Sequence, residues 1–251
     1  MEAGSFRVDR ERALEKLMTY SLPEALPGML LWVRYAIGSA ASRIAIREEK
    51  RALEIRFDGR PLAARELSDP FGALFAEEGE DRERGRDFAL GLLRALRPGR
   101  ERPGGRVTVL SGAGKDRLRL ELRSLSEESL GAIEDGESET VIRVDWPWPV
   151  AAYNTLLALS AGGYAAHCAL SAVPINFEGV PVAPALFGPE KREEFASSAA
   201  RARLGVPPFH GAKQSRLALF CRGLLVREIF YSHAFVAVEG DVNCDGLTLT
   251  G

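Results

Sequence analysis

The sequence predicts an α+β protein, a two-layer sandwich with helices on one face of a sheet, followed by a second α/β domain. Two observations point there. Periodicity runs helix, helix, strand, strand, loop, helix and then several strands, an order without the strict βαβ alternation of a doubly wound sheet. The composition then shifts at Trp146-Pro147-Trp148-Pro149, where two prolines forbid helix or central strand. This divides the chain into an expected first domain over 1–145 and a second over 150–251.

In the first region, Val8 to Tyr20 carries Ala13, Leu14, Leu17 and Met18 at helical spacing, with Asp9 as N-cap. Leu30 to Ala41 is apolar on nearly all faces, which predicts a buried helix. Arg43 to Arg47 and Ala52 to Phe57 alternate as strands, the second with Leu53, Ile55 and Phe57 on one face. Asp58-Gly59 is a turn. The mixed-charge run Glu77 to Arg86 reads as a solvated loop or a frayed polar helix face. A helix over Asp87 to Leu96 ends at Pro98-Gly99. Arg106 to Leu110, Arg117 to Leu122 and Thr140 to Val144 are strands, the first two joined by the turn Ser111 to Gly114.

Beyond the boundary, Val150 to Val173 predicts a long buried helix, and Ile175–Phe177 and Val180–Val182 form short strands across Glu178-Gly179. Lys191 to Arg203 is expected to be helical. Arg216–Cys221 and Leu224–Phe230 form a hairpin across Arg222-Gly223. The chain stops at Gly251 just after Leu247-Thr248-Leu249, so a longer protein is expected.

Hydrophobic content of 46% and charged content of 27% are those of a globular chain. The net charge of −2 gives no field to attract nucleic acid or anionic membrane. Cys168, Cys221 and Cys244 lie far apart, as expected of reduced thiols in a cytoplasmic protein. The chain opens on polar residues, and prolines flank its most apolar stretch, so neither a secretory signal nor a membrane span is expected. His167, His210 and His233 are scattered without metal-ligand spacing. Gly112-Ala113-Gly114-Lys115 lacks the spacing of a phosphate loop and reads as a turn.

Four segments carry what chemistry can be read. They are Leu31 to Ile44 (LWVRYAIGSAASRI), Phe57-Asp58-Gly59-Arg60-Pro61, Gly85-Arg86-Asp87-Phe88-Ala89-Leu90-Gly91, and Thr140-Val141-Ile142. In this order they resemble the boxes of the GHKL ATPases (gyrase, heat-shock chaperone, histidine kinase, MutL), closest to the ninety-kilodalton heat-shock chaperone. The later segments Arg222 to Val226 and Phe235 to Leu249 resemble that chaperone's middle domain. The resemblance implies a GHKL-type two-layer sandwich followed by a middle-type, transducer-like domain.

It also implies a signature helix with a glutamate as general base, an asparagine holding Mg²⁺ and an aspartate. Those positions fall on Leu31, Tyr35 and Gly38, so no catalytic residue is expected. In the second box Phe57 stands where the adenine-binding aspartate belongs, Gly59 is kept and Pro61 replaces a glycine. A slip of one residue would put Asp58 on adenine. The third box keeps Gly85 and Gly91, with Ala89 for a glycine, where a helix N-terminus would cradle phosphate. Any bound nucleotide would therefore be held by Asp58, Gly59, Gly85 and Gly91. Tyr35 and Phe57 are expected to fill the cleft.

The resulting expectation is a chaperone-like fold with a degenerate nucleotide site, needing no cofactor or metal. It would act as a non-catalytic interaction or scaffold module for a protein partner or client, with a homodimer as one expected assembly. One alternative is an ATP-binding or ATPase domain working with magnesium, with Asp58 on adenine and Arg86 or Asp87 near phosphate. A second is a structural subunit of a larger assembly.

Overall fold

The computed structural model describes residues 9–18, 28–76, 80–97, 104–147, 149, 161–183, 193–206, 214–232 and 237–245. The chain divides into two compact units, Met1–Ala41 with Ile46–Ala158 and Ser42–Ala45 with Leu159–Gly251. Both Trp146 and Pro147 of the expected junction belong to the first unit. Trp148 and residues 150–160, the first half of the expected long helix, lie outside the described residues.

The first unit places helices α1 (Arg10–Lys16), α2 (Gly28–Gly38), α3 (Ala64–Ser68) and α4 (Glu80–Leu96) with strands β1 (Ile44–Glu49, of which Ile46 onward belongs to this unit), β2 (Ala52–Phe57), β3 (Arg106–Ser111), β4 (Leu118–Leu122), β5 (Glu128–Ala132) and β6 (Thr140–Asp145). The strands neighbour one another in the order β5-β4-β3-β6-β2-β1. Antiparallel register aligns apolar side chains into rows, because residues directly opposite share a face. One row is Leu53–Val144–Val107–Leu122 and the next Ile55–Ile142–Val109–Leu120, all fully buried. The third turns polar beyond Phe57, which pairs with Thr140. Thr140 Oγ1 lies 2.9 Å from Ser111 Oγ, and Ser111 Oγ accepts from the Leu62 amide at 2.9 Å. Helix α2 packs on β2, and α4 packs on α2 and on β3.

The local chemistry explains the elements. Asp9 caps α1, its carboxylate accepting from the Arg12 amide. Helix α2 is buried on every side from Gly28 to Ala36, as its all-round apolar sequence requires. Its buried Arg34 pairs with Asp87 of α4 at 3.4 Å. Helix α2 ends in a left-handed turn at Ala40, φ 55°, with the Ala41 amide donating to Ala36 O and the Ala40 amide to Ile37 O, a Schellman closure.

Two expectations are corrected. Helix α4 starts at Glu80, seven residues before the expected Asp87, so the supposed solvated charge run is largely helix and Arg84 within it is buried. The helical reading of Lys191 to Arg203 fails over its described part, which forms strands β9 (Glu193–Ala196) and β10 (Arg201–Gly205), paired antiparallel. Ser197 makes the turn between them, its Oγ accepting from the Ala199 and Ala200 amides. Strand β5 was not foreseen at all: every residue in it is exposed, so it carries no apolar alternation to read.

The second unit contains α5 (Ala161–His167), the β7 (Ile175–Phe177) and β8 (Val180–Pro181) hairpin, and a sheet ordered β12-β11-β13-β10-β9. Strands β11 (Gln214–Cys221) and β12 (Leu224–Ser232) form the expected hairpin, while β13 (Glu239–Asn243) runs parallel to β11 and antiparallel to β10. Arg222 and Gly223 both have positive φ, 53° and 77°, the requirement of a type I′ turn. A Cβ at position 223 would lie 2.3 Å from Leu170 O, so the turn and the chain after α5 share this close approach. Ala169, Ala218, Phe220 and Leu225 form the core beneath.

Candidate functional site

The segments that carried the motif resemblance converge at one end of α2, against the polar third row of the sheet. Tyr35, two turns from the start of α2, is fully buried and Phe57 at the end of β2 nearly so. Their rings meet edge to face with centroids 5.7 Å apart, and Phe88 of α4 closes on Tyr35 at 5.3 Å. Leu31, one turn earlier on α2, is buried as well. Gly38 is the last residue of the helix.

The chemistry at this point belongs to residues that the motifs did not single out. Arg84 of α4 has a side chain only 4% exposed. Its Nη1 donates to Tyr35 Oη and to Ser39 Oγ, each at 3.2 Å, and its Nη2 donates to Glu66 Oε1 at 2.6 Å. The guanidinium carbon lies 5.2 Å from the centre of the Tyr35 ring. Glu66 uses its other oxygen to accept from the Ala63 amide at 2.7 Å, so one carboxylate caps α3 and neutralises Arg84. Ser39 Oγ donates to Tyr35 O at 2.8 Å. Burial pushes the Tyr35 phenol up to about 12, against the pull of Arg84, so it stays protonated well into the alkaline range. The group is a closed, charge-balanced knot joining α2, α3 and α4.

The glycines have structural work here. Gly59 sits at φ 99°, and a Cβ there would lie 2.5 Å from Ser39 O and 2.8 Å from the Ala41 amide. The neighbouring Arg60 amide donates to Ser39 O at 2.8 Å, so Gly59 lets the end of β2 clamp the end of α2. Gly85 and Gly91 fall inside α4 rather than at its N-terminus. A Cβ on Gly91 would strike the Trp32 indole, and one on Gly85 would come 2.7 Å from the Ala73 Cβ. Trp32 Nε1 donates to Phe88 O at 3.3 Å across that contact. Asp58 is half-buried just after β2, and Asp87 faces Arg34.

Arg84 was hidden in the run of mixed charge. The available signal was spacing, since Arg84, Phe88, Gly91 and Ala95 lie three or four residues apart and share one helix face. Among the described residues no group of three His, Cys, Asp or Glu side chains is placed to hold a metal ion, and no helix is long and apolar enough to cross a membrane.

The structure is similar to the crystal structure of the ATPase region of Saccharomyces cerevisiae topoisomerase II, with a TM-score of 0.52 over 86% of this chain and 71% of that one. The fold is that of a GHKL-type ATPase. Identity between the two is 11%, so the likeness is one of fold alone. No family model and no curated protein match the sequence.

Proposed function

We propose that this GHKL-fold protein has a nucleotide cleft filled by its own side chains and acts as a non-catalytic, chaperone-like interaction or scaffold module. The observation that carries this reading is the Arg84 knot. By resemblance, Tyr35 takes the position of the metal-binding amide and Phe57 that of the adenine carboxylate. Both are buried aromatic rings in mutual contact. Magnesium–ATP does not fit such residues. A neutral phenol buried among aromatic rings is a poor ligand for a hard cation, and Arg84 already has Glu66 as its counter-charge. With Leu31 in the place of the general base, the differential stabilisation that hydrolysis needs is missing as well.

Calorimetric titration with ATP and with ADP, each with and without Mg²⁺, tests the reading. The expected result is no saturable heat and no phosphate release above background. Thermal melting gives a second readout, because a ligand at one hundred times its Kd stabilises by about 2.7 kcal/mol. Saturable binding abolished by Asp58→Ala would instead establish the nucleotide-binding alternative.

A further inference from the structure

We infer that the second unit carries a binding site for a free α-amino acid with an apolar side chain, seated on strands β9, β10 and β13 beside the chain that follows α5. A cavity of about 400 Å³ opens there, its lining including Ala169, Leu170, Glu194, Arg201, Arg203 and Asp241, all within the second unit. That volume lies near the lower end for small-molecule pockets. The register of the sheet puts the charged lining on one face, because residues directly opposite share a face. Glu194, Arg203 and Asp241 form one row, which continues to Ala218 of β11. Ala196, Arg201 and Asn243 form the next, which continues to Phe220. Ala218 and Phe220 belong to the core, with Ala169 in it and Leu170 packed against it. One sheet face is thus core along β11 and charged along β10. Charged residues on a face that elsewhere makes core point to a ligand rather than to packing.

The charges in the cavity fall into a closed pair and an open one. Asp241 is 1% exposed and lies 3.6 Å from Arg203 Nη2, so these two offset one another. Arg201 and Glu194 are exposed, and neither makes an ion pair or side-chain hydrogen bond among the described residues. Glu194 lies opposite Arg203, which makes it the diagonal neighbour of Arg201, and such neighbours stand about 7–8 Å apart. The lining therefore offers a guanidinium and a carboxylate spaced to take a group between them. A ligand carboxylate meets Arg201, whose planar fork matches it in bidentate fashion. A ligand ammonium meets Glu194. A zwitterion satisfies both and leaves the cavity neutral. A plain carboxylate would add an uncompensated charge beside Asp241 and Glu194, and a plain amine would add one beside Arg201 and Arg203. An α-amino acid carries both charges on one carbon, and its side chain then rests on Ala169 and Leu170, which the core holds in place.

Isothermal titration of the full chain with L-leucine and with L-phenylalanine tests this. Each is compared with its skeleton lacking the ammonium (isocaproate, hydrocinnamate) and lacking the carboxylate (isoamylamine, phenethylamine). At least one of the two amino acids is expected to bind saturably, with a Kd of about 1 mM or tighter. Its two analogues are expected to bind at least about tenfold more weakly, as the loss of one charge-assisted hydrogen bond requires. Arg201→Gln should weaken the amino acid by at least about the same factor and leave its amine analogue unchanged. Glu194→Gln should weaken it as much and leave the carboxylate analogue unchanged. Both side chains are exposed, so both variants are expected to melt with the parent; if one fails to fold, the other and the analogues decide. No saturable binding of either amino acid, an analogue that binds as tightly as its amino acid, or binding that survives either substitution overturns the inference.

Discussion

Replacing Arg84 by methionine tests whether the knot between α2, α3 and α4 holds the first unit together. Methionine keeps most of the buried stem and removes the charge. The loss comprises three hydrogen bonds from the guanidinium cation, two to the neutral acceptors Tyr35 and Ser39 and one to the Glu66 carboxylate. At the low end of about 1.5 kcal/mol for each bond with a charged partner, the sum is about 4–5 kcal/mol. Glu66 keeps 20% of its side-chain surface in contact with solvent and still accepts from the Ala63 amide, so its stranded charge adds less than in a fully buried pair. For a unit of this size the cost corresponds to a fall in Tm of about 8–16 °C. Glu66→Gln alone is expected to cost about 2 kcal/mol. The double variant is expected to cost less than the sum of the singles, because neither charge is then left unpaired. Urea unfolding of the four proteins measures the cycle. An Arg84→Met variant within about 0.5 kcal/mol of the parent, or strictly additive singles, would show that Arg84 is effectively solvated and that nothing seals the site.

Other consequences follow from the same geometry. Tyr35, with its folded value raised from about 10 to about 12, is neutral in the native state while an unfolded phenol ionises from about pH 10. Its contribution is thus fully present below pH 10 and lost as pH rises toward 12, up to about 3 kcal/mol. Tyr35→Phe should lack that extra alkaline loss, and equal pH profiles for the two proteins would contradict the burial argument. Gly59→Ala is expected to destabilise by about 3 kcal/mol through its positive φ and the clash with Ser39 O. Ala40→Gly, at φ 55° with no such clash to relieve, is expected to stabilise by about 1 kcal/mol; chemical denaturation that reverses either sign would refute the turn analysis. Trp146, 4% exposed with its amide donating to Arg51 O and its indole against Gly105, is packed in the first unit. Trp146→Ala should therefore cost about 3–5 kcal/mol, as a lower melting temperature of that unit, and an unchanged melt would place the indole at the surface.

Local periodicity alone determined much of this protein. Helix α2, strands β2, β3, β4 and β6, the capping of α1 by Asp9 and the turns at Glu178-Gly179 and Arg222-Gly223 were all legible, because each is set by neighbours within a few residues. Other features depended on what lies far away in the chain. Lys191 to Arg203 read as helical, but pairing of β10 with β9 and β13 made its described part strand. Exposed β5 had no apolar face and was recruited through its register with β4. Arg84 read as surface charge, because a guanidinium is tolerated inside only when its counter-charge and acceptors are already in place. Glu66, Tyr35 and Ser39 come from eighteen to forty-nine residues away, and only folding brings them together. Gly85 and Gly91 kept a motif's spacing, yet tertiary packing against Ala73 and Trp32 gives them another use, since glycine admits a close neighbour as readily as it admits a phosphate.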